Sequence, residues 1–386
     1  MSRLLGRTMS YALTTIWFER NRFFPAVLAV AFSAILIAVQ GGLVIGLLSM
    51  MSVPVDKSTA DVWVGYPGVQ SVDLGRPIPE RWQSRLAAQP EVERVETYII
   101  AFSLWTRIAS QTTPAKPEVC TVIGTRLDPH SIGAVEFLRN DRELMTNLAE
   151  PMTCAVDRAE LGRLGIKGVG ARVDIFGRNV RVVGLVHGYK SLGGPYVFCS
   201  LQTARAIVRY QRDETTYILA KCRSQEDAKK VEEKLARYTQ MSAFTHDEFS
   251  LRSRMHWLTT TNSGIAIGFT ALLGLLVGSV VTSQTLYAAT AASQREYSTM
   301  RAMGIPRWRL KMAVLAQSFW VGLLGVLCAA PVTLILAEIA SRLGTQVRLH
   351  PVVIGIAAAI TMLMAIGSGL AALRSFQGVD PAHNIR

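Results

Sequence analysis

The chain has 386 residues, half of them hydrophobic, with a mean hydropathy of +0.27, which excludes an ordinary soluble domain and directs attention to where the apolar residues lie. The formal net charge of +13 would suit a nucleic-acid binder if it were spread over one face. It is not: residues 51–260 hold 28 basic against 24 acidic side chains and the remainder holds 13 against 4, so the excess flanks the apolar runs and points to a membrane, with no nucleic acid as partner.

Residues 1–22 mix Leu4, Leu5, Met9, Leu13, Ile16 and Trp17 with polar positions at near-helical spacing, and read as a cytoplasmic amphipathic helix entering the first span. Four runs are long and apolar enough to cross the hydrocarbon core: residues 23–50, 261–292 with a stalk, 312–340 and 351–373. Lys and Arg near span ends are retained in the cytoplasm. Arg3, Arg7, Arg20 and Arg22 precede the first span, Arg295, Arg301, Arg307, Arg309 and Lys311 fill residues 293–311, and Arg374 and Arg386 lie in the tail, residues 374–386. Both termini and the 293–311 loop are therefore expected inside, with residues 51–260 and the short 341–350 loop outside, in a bacterial inner membrane.

Residues 51–260 are long enough for a domain with its own core. Alternating or short β-branched runs predict strands at 61–66, 95–108, 118–124, 171–175, 180–186, 196–198 and 216–220. Helical spacing predicts helices at 79–88, 132–137, 158–164, 201–210 and 225–238, so the domain is α+β. Residues 171–186 read as a hairpin in a small β unit, and 95–125 with 216–238 as a second, α/β unit. Cys120, Cys154, Cys199 and Cys222 fall in this domain, where they read as buried thiols with one disulfide chemically permitted as the alternative, and their separations match no metal signature.

The second span is expected to continue as one helix from about residue 249 to 303. Gly264 with Gly268, and Gly274 with Gly278, form small-xxx-small pairs that allow close packing, within the subunit or across a dimer. After it, Gly304 followed by Pro306 is a helix stop, and Trp308 between Arg307 and Arg309 is an interfacial anchor. A short cytoplasmic helix bearing Tyr297, Met300 and Met303 between charges is suited to docking in a groove on a soluble partner.

Here the chain resembles the FtsX-like permease family of ABC transporters, which includes the MacB, lipoprotein-release and DevC branches. Arg295, Glu296, Arg301, Ala302 and Gly304 fit its R-E-x-x-x-x-R-A-x-G segment, and Asp380, Pro381, Ala382 and Arg386 fit its closing D-P-A-x-x-x-R. Residues 170–184 resemble its G-D-x-V-x-V-x-G segment, with Ala171 in place of the usual acidic residue. The resemblance implies four transmembrane helices with a MacB-type periplasmic core domain between the first and second, closest to the DevC branch in length. It also implies that Arg295, Glu296, Tyr297, Met300, Arg301, Met303 and Gly304 form the coupling element for a separate ABC ATPase. A coupling helix serving a paired ATPase implies a homodimer of this chain, and relatives work with a periplasmic adaptor of the membrane fusion class.

The chain has no G-x-x-x-x-G-K-[ST], so ATP and Mg would be bound by the partner and no cofactor by this chain. The glycine-rich stretch 188–194 reads instead as an external loop touching a partner through Tyr189, Lys190, Gly193 and Gly194, or as a plain loop. No catalytic constellation and no metal site is legible, and Glu338 near the outer end of span three reads as a solvated interfacial carboxylate. Two functions follow: export or extraction of a hydrophobic or amphipathic substrate (lipid, glycolipid, lipoprotein or drug-like) by mechanotransmission, or regulation of an extracytoplasmic enzyme by an FtsX-like signal transmitter.

Overall fold

A computed structural model of the chain describes residues 20–107, 117–191, 193–292, 303–342 and 349–375, together with Phe18, Thr299 and Val347. In chain order the elements are α1 (Arg20–Met51), α2 (Val53–Asp56), β1 (Val62–Gly65), β2 (Ile78–Pro79), α3 (Gln83–Ala87), β3 (Val92–Arg107), β4 (Pro117–Thr125), α4 (Glu136–Asn140) and α5 (Arg142–Ala149). There follow β5 (Thr153–Asp157), α6 (Leu161–Leu164), β6 (Arg172–Ile175), β7 (Arg178–Val186), β8 (Tyr196–Ser200), α7 (Leu201–Val208), β9 (Glu214–Thr215), β10 (Tyr217–Cys222), α8 (Asp227–Leu235) and β11 (Ser242–Thr245). The chain closes with α9 (His246–Thr260), α10 (Asn262–Ala292), α11 (Arg307–Arg342) and α12 (Pro351–Ser375). Two compact units result, one of residues 1–46 and 266–386, the other Leu47–Ile265.

The second unit is built on β3. At 16 residues it is long enough to serve two assemblies. Its first half pairs with β10 in the order β11-β1-β10-β3, all antiparallel. Alternation sorts these strands between two cores: Val62, Val64, Ile218 and Ala220 face Leu86, Val231 and Leu235 of α3 and α8, whereas Trp63, Tyr217 and Leu219 face Phe249 of α9. The second half of β3 pairs with β4, and the order β3-β4-β8-β5-β7-β6 returns to β3 through β6, closing a barrel. Its interior holds Trp105, Val122, Val156, Val173, Ile175, Val180, Val182 and Val197. Closure removes free strand edges from this part of the domain.

The α+β class follows the sequence reading; the expected division does not hold as drawn, because β4 and the second half of β3 pair into the barrel with the hairpin and only the first half of β3 pairs with β10. Strand β5 and helix α5 were not expected, nor was β11. The 171–186 hairpin is present, with Ile175 opposite Arg178 and positive φ at Phe176 (+53°) and Gly177 (+79°), a type I′ geometry. Cys120, Cys154 and Cys199 are free thiols of the barrel interior and Cys222 is a free thiol of the sheet core. Burial pushes the Cys120 thiol up to about 12 and the Cys222 thiol up to about 11, so both are protonated and inert.

Among the described residues four helices are long and apolar enough to cross a membrane: Phe23–Met51, Asn262–Ala289, Trp308–Arg342 and Pro351–Ala371. Small residues bring them together. Gly278 packs on Ser33, Gly325 on Val30 and Gly322 on Met362. The Ser33 hydroxyl lies 3.0 Å from the Gly278 carbonyl and accepts from Thr282 at 2.8 Å, so a polar contact in the spans joins α1 to α10.

Candidate functional site

The expected single helix from residue 249 to 303 is broken at Thr261, whose backbone is extended (φ −95°, ψ 142°) between α9 and α10. The hydroxyl of Thr261 donates to the Trp257 carbonyl (2.6 Å) and accepts from Gly264 N (3.0 Å), which caps the start of α10. A Cβ on Gly264 would stand 1.9 Å from the Trp257 oxygen. Gly264 is therefore required by its own chain's bend rather than by a neighbouring helix. Gly274 and Gly278 do pack between helices, against Gln40 and Leu36 and against Ser33. Gly268 lies on α10 within the same unit.

Helix α9 is where the outer domain grips the segment that leads into the second span. Its N-terminal end is capped by Thr245, and Phe249 inserts fully buried among Trp63, Tyr217 and Phe244. From there Ser250, Ser253, Arg254 and Trp257 recur at three- and four-residue spacing, which puts them on one face. That face, together with the neighbouring Arg252, makes two sets of polar contacts. In the first, Asp56 accepts from Ser250 Oγ (2.6 Å), Ser52 Oγ (2.7 Å) and Arg254 Nη2 (2.6 Å), while Arg254 Nε donates to Ser52 Oγ (2.7 Å). Ser52 directly follows α1 in the chain.

In the second set, Ser253 Oγ accepts from Val72 N (3.0 Å), Arg252 Nε donates to the Val69 carbonyl (2.9 Å), and Trp257 Nε1 donates to Asp73 Oδ1 (3.2 Å). Ser71 donates to the same carboxylate oxygen. Burial holds the Asp73 carboxyl above the usual carboxylate range, against the opposing pull of the Ser71 and Trp257 hydrogen bonds and of nearby His256. Two buried tyrosines extend the network, Tyr217 donating to the Ser71 carbonyl and Tyr196 to the Met50 carbonyl, each at 3.2 Å. The sequence reading missed Asp56, Asp73, Arg254 and Trp257 as site residues. The polar stripe on α9 was the available signal.

Of the expected coupling residues, Arg295, Glu296, Tyr297, Met300 and Arg301 lie outside the described residues. Met303 is 70% exposed, and Gly304 has φ +88° with no atom within 4 Å of an added Cβ. Arg309 stacks over Trp308 (5.4 Å) at the start of α11. Met303 N donates to the Thr299 carbonyl (3.1 Å) and the left-handed Gly304 follows it, the geometry that closes a helical turn, with Trp308 and Arg309 exposed beyond.

The glycine-rich loop is not the exposed contact expected for Tyr189. That side chain is buried, edge-on to Phe198 (5.5 Å), and its amide donates to Asp157 Oδ2 (2.7 Å). Gly194 (φ +143°) lies against the Val119 carbonyl and Gly193 against the Phe102 ring, so the described part of the loop is laid onto the β3–β4 surface; Lys190 is partly exposed beside Tyr189. Glu338 pairs with Arg342 one turn on, at 2.9 Å, with both side chains mostly exposed. Among the described residues no cluster of His, Cys, Asp and Glu could hold a metal ion.

Four apolar helices with a large α+β domain inserted between the first and second define a polytopic membrane protein of the permease class. Residues 23–238 match the MacB-like periplasmic core domain and residues 268–380 the FtsX-like permease C-terminal domain. The chain belongs to the FtsX-like, MacB-like family of ABC transporter permeases. Among solved structures it is similar to the periplasmic region of MacB from Actinobacillus actinomycetemcomitans, at 12% identity over 54% of this chain and 97% of that one, TM-score 0.33. It is also similar to the extracellular domain of the noncanonic ABC-type transporter YknZ from Gram-positive bacteria, at 12% identity over 47% and 98%, TM-score 0.32. A domain of a permease protein from Porphyromonas gingivalis matches at 14% identity over 50% and 90%, TM-score 0.28. No curated protein matches the chain by sequence.

Proposed function

We propose that this chain is the permease subunit of an inner-membrane ABC exporter, with both termini cytoplasmic, and that it works by mechanotransmission. A separate cytoplasmic ATPase binds ATP and Mg and engages residues 293–311. Its closure is carried along the second span to the outer domain, which acts on a hydrophobic or amphipathic substrate. The observation that supports this reading most is the two-sided grip on α9. The helix that leads into the second span is tied by Arg254, Ser250, Ser253 and Trp257 to two separate segments of the outer domain, so displacement of that helix is passed to the domain rather than absorbed by a loose linker.

A paired ATPase calls for two copies of this chain. A domain of about two hundred residues between the first and second spans suits export, with a periplasmic adaptor as further partner, better than signal transmission to an extracytoplasmic enzyme. The test is a distance measurement in the reconstituted complex with its ATPase, with spin labels at Arg223 and Asp141 of the outer domain. ATP should change the label-to-label distance across the two copies, and Met303→Asp should abolish that change. An outer domain whose spacing is indifferent to nucleotide would sink the reading.

A further inference from the structure

Charge within the outer domain is unevenly distributed. Between Arg158 and Arg212 there are ten basic residues and only two acidic ones, Glu160 and Asp174, so the remainder of the domain is net acidic. The basic stretch builds much of the barrel, and its β6–β7 hairpin concentrates three of the cations. Arg172 stands directly opposite Arg181 across the two strands, a like-charge pairing that is unfavourable when left uncompensated. Glu150 pairs with Arg181, whereas Arg172 and Arg178 are exposed and make no ion pair among the described residues.

The hairpin tip adds a second, independent anomaly. Phe176 sits at φ +53°, a left-handed position that turns of this type ordinarily give to Asn, Asp or Gly, and its ring is 48% exposed. Arg209 stacks over it at 4.8 Å. A strained, exposed aromatic covered by a single guanidinium contributes nothing to the barrel core. It has the composition of an interface anchor.

We propose that the β6–β7 hairpin is a docking surface for an acidic, extended segment of a partner protein, with Phe176 as its apolar anchor and Arg172, Arg178 and Arg209 as its charge partners. Charge complementarity selects the occupant. Strand alternation places Arg172 on the outer face of the hairpin, three residues back from Ile175, and Arg178 on the other face beside the turn, so the cations are spread around the hairpin instead of converging on one point as a phosphate requires. The inference does not depend on whether the chain exports a substrate or transmits a signal.

The experiment uses the full-length chain in neutral-lipid nanodiscs and a fluorescent oligoglutamate peptide, followed by anisotropy. R172E/R178E should weaken binding roughly tenfold while R172K/R178K restores it and R223E/R237E, on the opposite part of the domain, leaves it unchanged. Phe176→Asn should also weaken binding, yet raise the melting temperature, because asparagine relieves the left-handed strain. A structural role for Phe176 predicts the reverse. Equal binding by all variants overturns the proposal. So does competition by inorganic phosphate as effective as that of the peptide, or preference for phosphatidylglycerol vesicles over it.

Discussion

Arg254 and Asp56 are 198 residues apart in sequence, yet the guanidinium Nη2 stands 2.6 Å from the carboxylate Oδ2. Asp56 collects three donors and Arg254 reaches two acceptors, so the pair is the centre of a network rather than an isolated surface bridge. The two partners are not equivalent. Arg254 is 36% exposed in its side chain and Asp56 24%, and Asp56 also satisfies Ser250, which is buried.

Removing the carboxylate should therefore cost more than removing the guanidinium. Asp56→Ala leaves one cation and two hydroxyls without their acceptor, an expected loss of about 1–3 kcal/mol. Arg254→Met removes a solvent-screened attraction and keeps the stem, an expected loss of about 0–1 kcal/mol. Thermal melts of the purified chain followed by tryptophan fluorescence give the order directly. A larger loss for Arg254→Met would mean that the network is centred on the arginine.

Asp73 carries a pH signature of definite sign. Its carboxyl is raised in the folded state by burial, so the folded chain holds this proton more tightly than the unfolded chain does. The stabilising contribution is fully present below the unfolded value of 3.8 and is lost as pH rises through the raised folded value. Asp73→Asn keeps an acceptor for Trp257 and Ser71 and removes the buried charge. The variant should melt higher than the parent at neutral pH, and the gain should shrink toward pH 4 as the parent's carboxyl protonates. A gain independent of pH would show that the charge of Asp73 is not its origin.

The spans were legible because their apolar runs need no partner to be recognised, and the hairpin strands because alternation survives in Arg172–Ile175 and Arg178–Val186. Strand β5 was not, since Thr153–Asp157 is buried at every position and short buried runs carry no period. The break at Thr261 was hidden for a different reason. Thr261 bends and caps the chain by bonding its own hydroxyl to the Trp257 carbonyl and the Gly264 amide, while the apolar periodicity runs on as though nothing interrupted it. Tyr189 was misplaced because glycines around it suggested an exposed tip, whereas the ring is the anchor that holds the loop down. The Asp56 and Asp73 contacts join segments nearly two hundred residues apart and are visible only once β1 and α9 have packed around Phe249.

Gly264 offers a test of that bend. Gly264→Ala places a methyl where the Trp257 carbonyl already stands, and the contact is with backbone, so the junction itself must move. Gly355 on α12 has nothing within 4 Å of an added Cβ, and Gly355→Ala should be accepted. If α9 transmits displacement, Gly264→Ala should lower ATP-driven transport several-fold at normal membrane levels. Equal activity of the two alanine variants would remove the bend from the mechanism.

The exposed turn at Met303 and Gly304 allows contact chemistry and backbone geometry to be separated. Met303→Asp changes an exposed side chain, so the permease should insert and melt as before, but an aspartate buried against an ATPase groove loses its hydration and binding should weaken. Gly304 acts through its backbone, because φ +88° is strained for any side chain and worst for a β-branched one. Gly304→Asn should therefore stay near the parent, Gly304→Ala fall below it, and Gly304→Val fall furthest, by about 1–3 kcal/mol of strain. Co-purification with the ATPase reads both series. Loss in Met303→Asp together with the order Asn, Ala, Val at position 304 is the expected result. Full co-purification of Met303→Asp with a graded loss at 304 would place the contact elsewhere on residues 293–311, and no loss in either series would remove this segment from the coupling path.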